Sequence, residues 1–459
     1  MAGIGFELRR MLRKESLSGK LQAYAFSAII GSGPWVLSII AILAIGMLNI
    51  QGGATSAFVG EFQVSITYLM ASSLIATSVL QLMFTRFVAD RLFEQQDAMV
   101  LPNLLGALLL TTALSGLLGL AVAWLWLEGS VLYRLCMLAG FVILCAMWVV
   151  LVFASTIKAY RRILLVFLIG YGVTVAAAWA LRDRGLEGLM LGFVVGQAIL
   201  LFLLLAMAVR QYPGQQLLAF GFLKPALIYP SLIFAGLFYN VGVWADKVLF
   251  WLHADTGISV AGPLRASPLY DLPIFLSYLS LIPGLAIFLI RMEADFAERC
   301  EQFYATIKNG GTLAQIGQAR RDMVASVRAG LLSVFKVQGA TTIILLVMGG
   351  DILAWFDVTT VNRSVLNILL VGVAFQLLML SVLNVFYYLD QRGAAVVLCL
   401  FFLVANTLLT WGSLKLGAPF YGYGFGLAML LTSGLGIAML ARKLEFLEYE
   451  TFMLQPASS

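Results

Sequence analysis

The feature that most constrains this chain is a series of long segments without a charged residue. They lie at 21–60, 62–85, 98–127, 135–157, 163–181, 188–209, 225–245, 272–290, 364–389, 393–414 and 416–441. A helix that crosses the hydrocarbon core of a bilayer needs about 20 apolar residues. The segment 329–356 is also apolar, although it contains Lys336 and Asp351. The sequence therefore predicts an all-α polytopic membrane protein with twelve transmembrane helices, counting one in 21–60.

Composition excludes most other classes of protein. Hydrophobic residues make up 61% of the chain and charged residues 11%, whereas soluble domains carry about 25% charged residues. The single histidine, His253, argues against histidine metal sites and Ser-His-Asp chemistry. The four cysteines include no C-x-x-C pair, and no G-x-x-x-x-G-K-[ST] segment is present. We therefore expect neither an enzyme nor a cofactor.

The distribution of Lys and Arg gives the orientation. With both termini in the cytoplasm, 22 of these residues fall on the cytoplasmic side and 7 on the outer side, as the positive-inside rule requires. Omitting one span would destroy this asymmetry. The sequence predicts a multi-pass protein of the inner membrane with cytoplasmic N- and C-termini. The basic segment 1–20 is either an interfacial amphipathic helix or a plain topogenic flank.

The predicted organisation has two six-helix halves. A linker at 211–225, which contains Pro213, Gly214 and Pro225, separates residues 1–210 from 226–459. The second half contains the longest polar segment, 291–328, in which helical spacing predicts two amphipathic cytoplasmic helices. A capping box formed by Thr312 and Gln315 should begin the second helix. This segment is either a solvated connection or a surface that docks a cytoplasmic partner. The candidate docking residues are Phe296, Phe303 and Ile307.

Polar residues within the spans are the candidates for a transport path, because charges at membrane depth are costly unless they meet water or a partner. The seventh span supplies most of them, and two later spans supply weaker candidates. They are Tyr239, Asn240, Trp244, Asp246, Lys247, Lys336 and Asn384. Asp246 and Lys247 could instead form an ion pair in the aromatic belt, and Lys336 could reach back to the cytoplasm. Glu293 and Asp295 are interpreted as a charged flank.

Glycine and proline mark two places where a span could bend. The first is in the first span, at Gly31, Gly33 and Pro34; the second is in the eighth span, at Pro283 and Gly284. Proline removes a helical hydrogen bond and kinks the helix. Each position is either a static kink or a hinge for alternating access.

Several strings of the sequence resemble the PelG family, the inner-membrane transporters of the Pel exopolysaccharide system. These strings are MAGIGFELRR at 1–10, GSGPW at 31–35, WADKV at 244–248, LRASPLYDLP at 264–273 and IRMEADF at 290–296. The resemblance extends over essentially the whole chain. It implies the fold of the multidrug/oligosaccharidyl-lipid/polysaccharide (MOP) exporter superfamily, with two six-helix bundles around a central cavity.

The resemblance also implies a function. The substrate would be an exopolysaccharide rich in N-acetylated amino sugars, moved from cytoplasm to periplasm by alternating access or through a conduit coupled to its synthase. The implied partners are a cytoplasmic UDP-sugar glycosyltransferase and other membrane subunits of a Pel-type synthase, one of which senses cyclic di-GMP.

Three other functions remain open at the level of the sequence. An ion-coupled transporter for small molecules needs an intramembrane carboxylate, for which Asp246 is the candidate. A membrane-embedded transferase is disfavoured by the lone histidine and by the lack of a large cytoplasmic domain. A membrane scaffold for the synthase would differ from an exporter only in transport measurements.

Overall fold

A computed structural model of the chain describes residues 27, 38–42, 44–46, 56–154, 160–212, 214, 216–354 and 360–449. In the first part of this range the helices are α1 (Ser56–Phe93), α2 (Val100–Leu125), α3 (Val131–Ala154), α4 (Tyr160–Ala180), α5 (Gly185–Gln211) and α6 (Pro230–Leu252). A hairpin of β1 (Ile258–Ala261) and β2 (Leu264–Ala266) follows α6, and its strands are antiparallel.

The remaining elements are helical. They are α7 (Asp271–Leu279), α8 (Leu281–Phe288), a π-helical segment (Leu289–Phe296), α9 (Ala297–Lys308), α10 (Leu313–Ala354), α11 (Thr360–Tyr388), α12 (Arg392–Leu416) and α13 (Tyr423–Glu445). We call residues 289–296 the π segment. Short 3-10 turns lie at Asp97–Met99, Arg182–Arg184, Gly221–Leu223, Pro225–Leu227 and Ala418–Phe420.

Eleven helical stretches within the described residues are long and apolar enough to cross a membrane. They coincide with the second to the twelfth predicted spans, so the predicted all-α polytopic class is confirmed. The first predicted span lies largely outside the described residues, as do Gly31, Gly33, Pro34 and the segment 1–20. The strings at 1–10 and 31–35 also fall there.

Contacts between helices divide the chain into two units, and the first unit extends to Asp271. Within it, α4 packs closely on α5 because α5 carries small residues on the facing side. A Cβ atom at Gly192 would lie 2.4 Å from the backbone nitrogen of Ala178, and one at Gly196 would lie 2.1 Å from Thr174 Oγ1. Phe62 of α1 meets Phe193 of α5 edge to face. Small residues therefore set the helix spacing, and aromatic residues fill the core.

The boundary between the units differs from the predicted linker, because α6 packs in the first unit. At Gly236 a Cβ atom would lie 2.6 Å from the carbonyl oxygen of Ser78 in α1, so glycine permits this close approach. The segment before α6 is also held there. Phe222 donates its backbone N–H to Asn103 (3.3 Å) and packs against Phe84. Residues 211–225 therefore form part of the first unit rather than a free connection.

The second unit begins at Leu272, and its polar segment is built differently from the prediction. From Asp271 to Lys308 the helical stretch is nearly continuous, and α10 runs for 42 residues from Leu313 to Ala354. The two amphipathic helices of 291–328 are thus extensions of the eighth and ninth spans, because no proline separates them from those spans. The predicted capping box is confirmed: Thr312 N–H donates to Gln315 Oε1 (2.8 Å) and Gln315 N–H to Thr312 Oγ1 (3.3 Å).

The predicted bend in the eighth span lies at a break in the helix. Ser280 separates α7 from α8, and Pro283 occupies the first turn of α8, where its missing N–H removes no further bond. Gly284 allows a close contact with α10, since a Cβ atom there would lie 2.3 Å from Gln338 Oε1. The structure therefore shows a helix break that is packed against α10. A hinge role stays a prediction.

Candidate functional site

The first polar cluster of interest lies near the C-terminal end of α6. Asp246 is 0% exposed and Lys247 is 1% exposed. Lys247 Nζ lies 3.3 Å from both carboxylate oxygens of Asp246 and donates to the carbonyl oxygen of Val243 (2.9 Å). A buried ion pair is tolerated only when further hydrogen bonds satisfy both charges. The surrounding residues supply those bonds.

The residues that follow the β-hairpin complete the cluster. Tyr270 donates its hydroxyl to Asp246 Oδ2 (2.6 Å), and its ring stacks on Phe250 with centroids 3.9 Å apart. Asp271 accepts the indole N–H of Trp251 (2.8 Å) and the backbone N–H of Ser267 (2.9 Å). These bonds tie the segment 267–271 to α6. We call Asp246, Lys247, Trp251, Tyr270 and Asp271 the α6 cluster.

Aromatic contacts attach the same cluster to α1. Trp251 stacks on Tyr68 of α1, with ring centroids 4.7 Å apart. The hydroxyl of Tyr68 accepts the backbone N–H of Arg265 in β2 (3.2 Å). Arg265 in turn donates to the carbonyl oxygen of Gly257 (2.7 Å). The hairpin, α6 and α1 are therefore joined through one set of polar and stacking contacts.

The other predicted residues of α6 lie in a different environment. Tyr239 and Asn240 are half-buried, and Asn240 donates its side-chain amide to the carbonyl oxygen of Gly236 (3.0 Å). Trp244 is 9% exposed and lies beside Lys247, whose Nζ is 5.6 Å from the ring centroid. The structure thus brings Trp244, Asp246 and Lys247 together and leaves Tyr239 and Asn240 nearer the surface of α6. A role for any of them in a path stays a prediction.

A second polar cluster lies in the second unit, and the sequence analysis missed its central residue. Glu293, in the π segment, is 3% exposed and is not a charged flank. Its Oε1 accepts the side-chain amide of Asn384 (2.7 Å), and its Oε2 accepts the hydroxyl of Tyr388 (2.7 Å). The string IRMEADF contained the signal, because Glu293 follows an apolar run within one helical turn. Lys336 is exposed on α10.

Two of the three candidate docking residues are enclosed within the protein. Phe296 and Phe303 are each 0% exposed, and Phe296 meets Tyr388 edge to face. Ile307 is half-buried. Phe296 and Phe303 are therefore core residues of the π segment and α9, because the apolar face of α9 packs on α10 instead of facing solvent. Between α9 and the start of α10 lies an open polar groove of about 600 Å³, lined by Gln302, Thr306, Asn309, Gly311, Gln315, Gln318, Ala319 and Asp322.

The match to a protein family extends over residues 1–452, and that family is described as "PelG: Putative exopolysaccharide Exporter (EPS-E)". The chain belongs to the PelG family. No protein of curated function matches the chain by sequence. The matched range includes Asp246, Tyr270 and Glu293, which belong to the two buried clusters.

Solved structures similar to this chain are transporters of the MATE family and the MOP superfamily. An inward-facing MATE transporter has a TM-score of 0.63 at 11% identity and covers 90% of this chain and 96% of its own. An outward-facing one has a TM-score of 0.60 at 13% identity and covers 93% and 96%. A MOP transporter from Pyrococcus furiosus, whose binding pocket is described as reversed in polarity, has a TM-score of 0.63 at 14% identity and covers 93% and 96%. This PelG-family chain therefore has the MOP fold and is a membrane exporter of polysaccharide.

Proposed function

We propose that this PelG-family exporter moves an amino-sugar-rich exopolysaccharide from the cytoplasm to the periplasm across the bacterial inner membrane. The observation that carries the proposal is the family match over 1–452. The distribution of Lys and Arg supports the orientation of the chain in the membrane, and the description of the family as an exporter supports the direction of transport. The test is to measure polymer in the periplasm of cells with and without the chain while its synthase is present. Equal amounts in both strains would contradict the proposal.

The orientation can be tested with reporter fusions at exposed sites in turns. Asp255, in the turn between α6 and β1, has a side chain that is 80% exposed, and Gly310 lies in the exposed turn between α9 and α10. A fusion at Asp255 should report the periplasm, and a fusion at Gly310 should report the cytoplasm. The opposite result at either site would reverse the proposed topology.

We further propose that α6 lines part of the path, with Tyr239 and Asn240 as contact residues. An amide and a phenol suit a neutral sugar polymer, because they exchange hydrogen bonds with hydroxyl and acetamido groups without binding a fixed charge. Weak contacts also permit release. The buried residues Trp244, Asp246 and Lys247 hold α6 in position, and they affect the path only through the position of that helix. Asn384 and Lys336 remain weaker candidates in the second unit.

The path proposal is tested by cysteine labelling. The four native cysteines are buried, so background reaction with a water-soluble thiol reagent should be low. A cysteine at Asn240 should be labelled from the periplasm in at least one state. Phe234, which is 49% exposed on the same helix, provides a control position where an apolar face should exclude the reagent. No labelling at 240 together with normal export by Asn240→Ala would place the path elsewhere.

Alternating access is the proposed mode of transport. The related MATE fold is described in both outward-facing and inward-facing conformations, which supports two states for this chain. The break at Ser280 and the adjacent Pro283 and Gly284 are the hinge candidates within the described residues. Gly31, Gly33 and Pro34 are the candidates in the first span. A conduit coupled to the synthase is the alternative mode.

The proposed partners are a cytoplasmic UDP-sugar glycosyltransferase and membrane subunits, one of which senses cyclic di-GMP. The α9–α10 turn is the proposed contact surface. Because Phe296 and Phe303 are enclosed, the exposed apolar residues there are the better test: Tyr304 is 38% exposed and Leu313 is 77% exposed. Leu313→Ser should reduce co-purification of the glycosyltransferase. Leu217→Ser, at a residue that is 78% exposed elsewhere, is the matched control, and equal co-purification by both variants would exclude the turn.

A further inference from the structure

We propose that Glu293, Asn384 and Tyr388 form a proton-binding latch between the π segment and α11. In this latch Glu293 gains and loses a proton as the exporter changes conformation. The proposal concerns how the second unit moves, and it does not depend on the path assigned to α6. Its three residues belong to the described part of the second unit.

The first argument comes from the way in which the carboxylate is satisfied. Glu293 is 3% exposed, and a buried carboxylate is costly unless it is fully hydrogen-bonded. Its two described hydrogen bonds come from neutral donors, the Asn384 amide and the Tyr388 hydroxyl, at 2.7 Å each. Asn384 and Tyr388 are four residues apart on α11, so they share one face of that helix. The carboxylate therefore fastens the π segment to a single face of α11.

The second argument comes from an unused acceptor in the same cluster. Asn384 is 8% exposed, and its Oδ1 atom has no hydrogen-bond partner within the described residues. A protonated carboxyl group is a hydrogen-bond donor and needs such an acceptor. Rotation of the Asn384 amide would exchange Nδ2 for Oδ1 beside Glu293. The same three side chains can therefore satisfy Glu293 in both of its protonation states.

The position of Glu293 connects its protonation to backbone geometry. It lies within the eight-residue π segment, and π-helical turns inside α-helices frequently occur at functional sites. The adjacent Met292 packs tightly on α10, since a Cβ atom at Gly330 would lie 2.7 Å from Met292 Cε. Charged hydrogen bonds are roughly twice as strong as neutral ones. Protonation should therefore loosen the attachment to α11 and let the π segment move.

Other ionisable groups near the latch are placed so that they do not replace Glu293. The phenol of Tyr388 is the titratable group that bonds to it. Arg291 and Asp295, on the same segment, pair with each other at 2.9 Å and are 46% and 38% exposed. The neighbouring helices α9, α10 and α11 carry further ionisable side chains, of which all but Cys300 are partly or fully exposed. Among the described side chains these are Glu298, Arg299, Cys300, Glu301, Tyr304, Lys308, Arg320, Arg321, Asp322, Arg328, Lys336, Arg363 and Tyr387.

The test is hydrogen–deuterium exchange of the purified full-length protein as a function of pH, corrected for intrinsic exchange rates. In the parent protein, peptides covering 289–308 should exchange about tenfold faster in the protonated than in the charged state, with one transition across the pH range in which the protein stays folded. Glu293→Gln, which is neutral at every pH, should abolish the transition. Asp295→Asn, which removes an exposed carboxylate two residues away, should retain it.

A parent protein without a transition, or a Glu293→Gln protein that keeps the parent's transition, would overturn the latch. If Glu293→Gln does not fold, Glu293→Asp decides, because a shorter carboxylate in the same site must displace the midpoint. An unchanged midpoint in that variant would also overturn it. None of these measurements involves transport, so their failure is separable from failure of the proposed function.

Discussion

Each unit of the protein encloses a carboxylate among its helices, and the two carboxylates are held in different ways. Asp246 in the first unit lies 3.3 Å from the ammonium group of Lys247 and accepts the hydroxyl of Tyr270. Glu293 in the second unit accepts hydrogen bonds from the neutral side chains of Asn384 and Tyr388. Both carboxylates are almost fully buried.

The difference determines what each site can do. Neutralising Asp246 would remove the carboxylate that lies 3.3 Å from the buried ammonium group of Lys247, which is costly even though Asp271 of the same cluster remains. The α6 cluster therefore acts as a clasp between α6 and the segment 267–271. The two described hydrogen-bond partners of Glu293 are neutral, so neutralising Glu293 leaves no buried charge among them. That site can change its protonation state at a smaller cost in stability.

The largest expected effect tests the clasp. Asp246→Asn should lower the free energy of unfolding by about 3–5 kcal/mol, because Lys247 keeps its charge in a buried site. The double variant Asp246→Asn with Lys247→Met should recover most of that loss, since it removes both charges. Thermal unfolding in detergent measures both. If the single variant is as stable as the parent, Lys247 has another counter-ion and the comparison fails.

The second effect concerns the hydroxyl group that completes the clasp. Tyr270→Phe keeps the stacking on Phe250 and removes one hydrogen bond to a charged group, so it should cost about 1.5–3 kcal/mol. The same unfolding measurement applies. Tyr449→Phe, at a residue that is 59% exposed, should have little effect. An equal loss in both variants would mean that the hydroxyl–carboxylate bond contributes nothing specific.

A smaller effect is expected at the second site. Glu293→Gln keeps an acceptor for Tyr388 and offers a donor to Asn384 Oδ1, so it should cost about 1 kcal/mol. Comparing this loss in the free energy of unfolding with that of Asp246→Asn shows how differently the two buried carboxylates are held. A loss as large as that of Asp246→Asn would show that Glu293 has a buried counter-ion and belongs to the same class as Asp246.

The smallest effect is expected at an exposed pair next to the second site. Arg291 and Asp295 are four residues apart and both are well exposed, so solvent screens their attraction. Asp295→Asn should change the free energy of unfolding by at most about 0.5 kcal/mol. The residual effect should shrink as salt is added. A large, salt-independent loss would show that the π segment depends on this pair as well as on Glu293.

The sequence located the first cluster and failed on the second for a physical reason. Asp246 and Lys247 lie between the uncharged segment 225–245 and the apolar residues 248–252, so apolar residues flank these charges on both sides. Glu293 stands after such a segment, beside the exposed Arg291 and Asp295, so its position along the chain resembles a solvated flank. Only the packing of the π segment on α11 shows that Glu293 is enclosed. The prediction for Phe303 was wrong in the opposite sense, because a residue predicted to dock a partner is buried. Helical spacing identifies an apolar face but does not show whether that face contacts solvent or α10.

The sequence by itself determined the membrane class, the positions of the described spans and the capping box at Thr312. These features depend on local properties, namely the length of uncharged runs and the chemistry of one helix end. The tertiary structure decided that α6 packs in the first unit, that the polar segment 291–328 extends two spans, and which carboxylates are paired with charge. Those outcomes depend on contacts between residues far apart in the chain, such as Asp246 with Tyr270 and Glu293 with Asn384. No local pattern specifies those contacts.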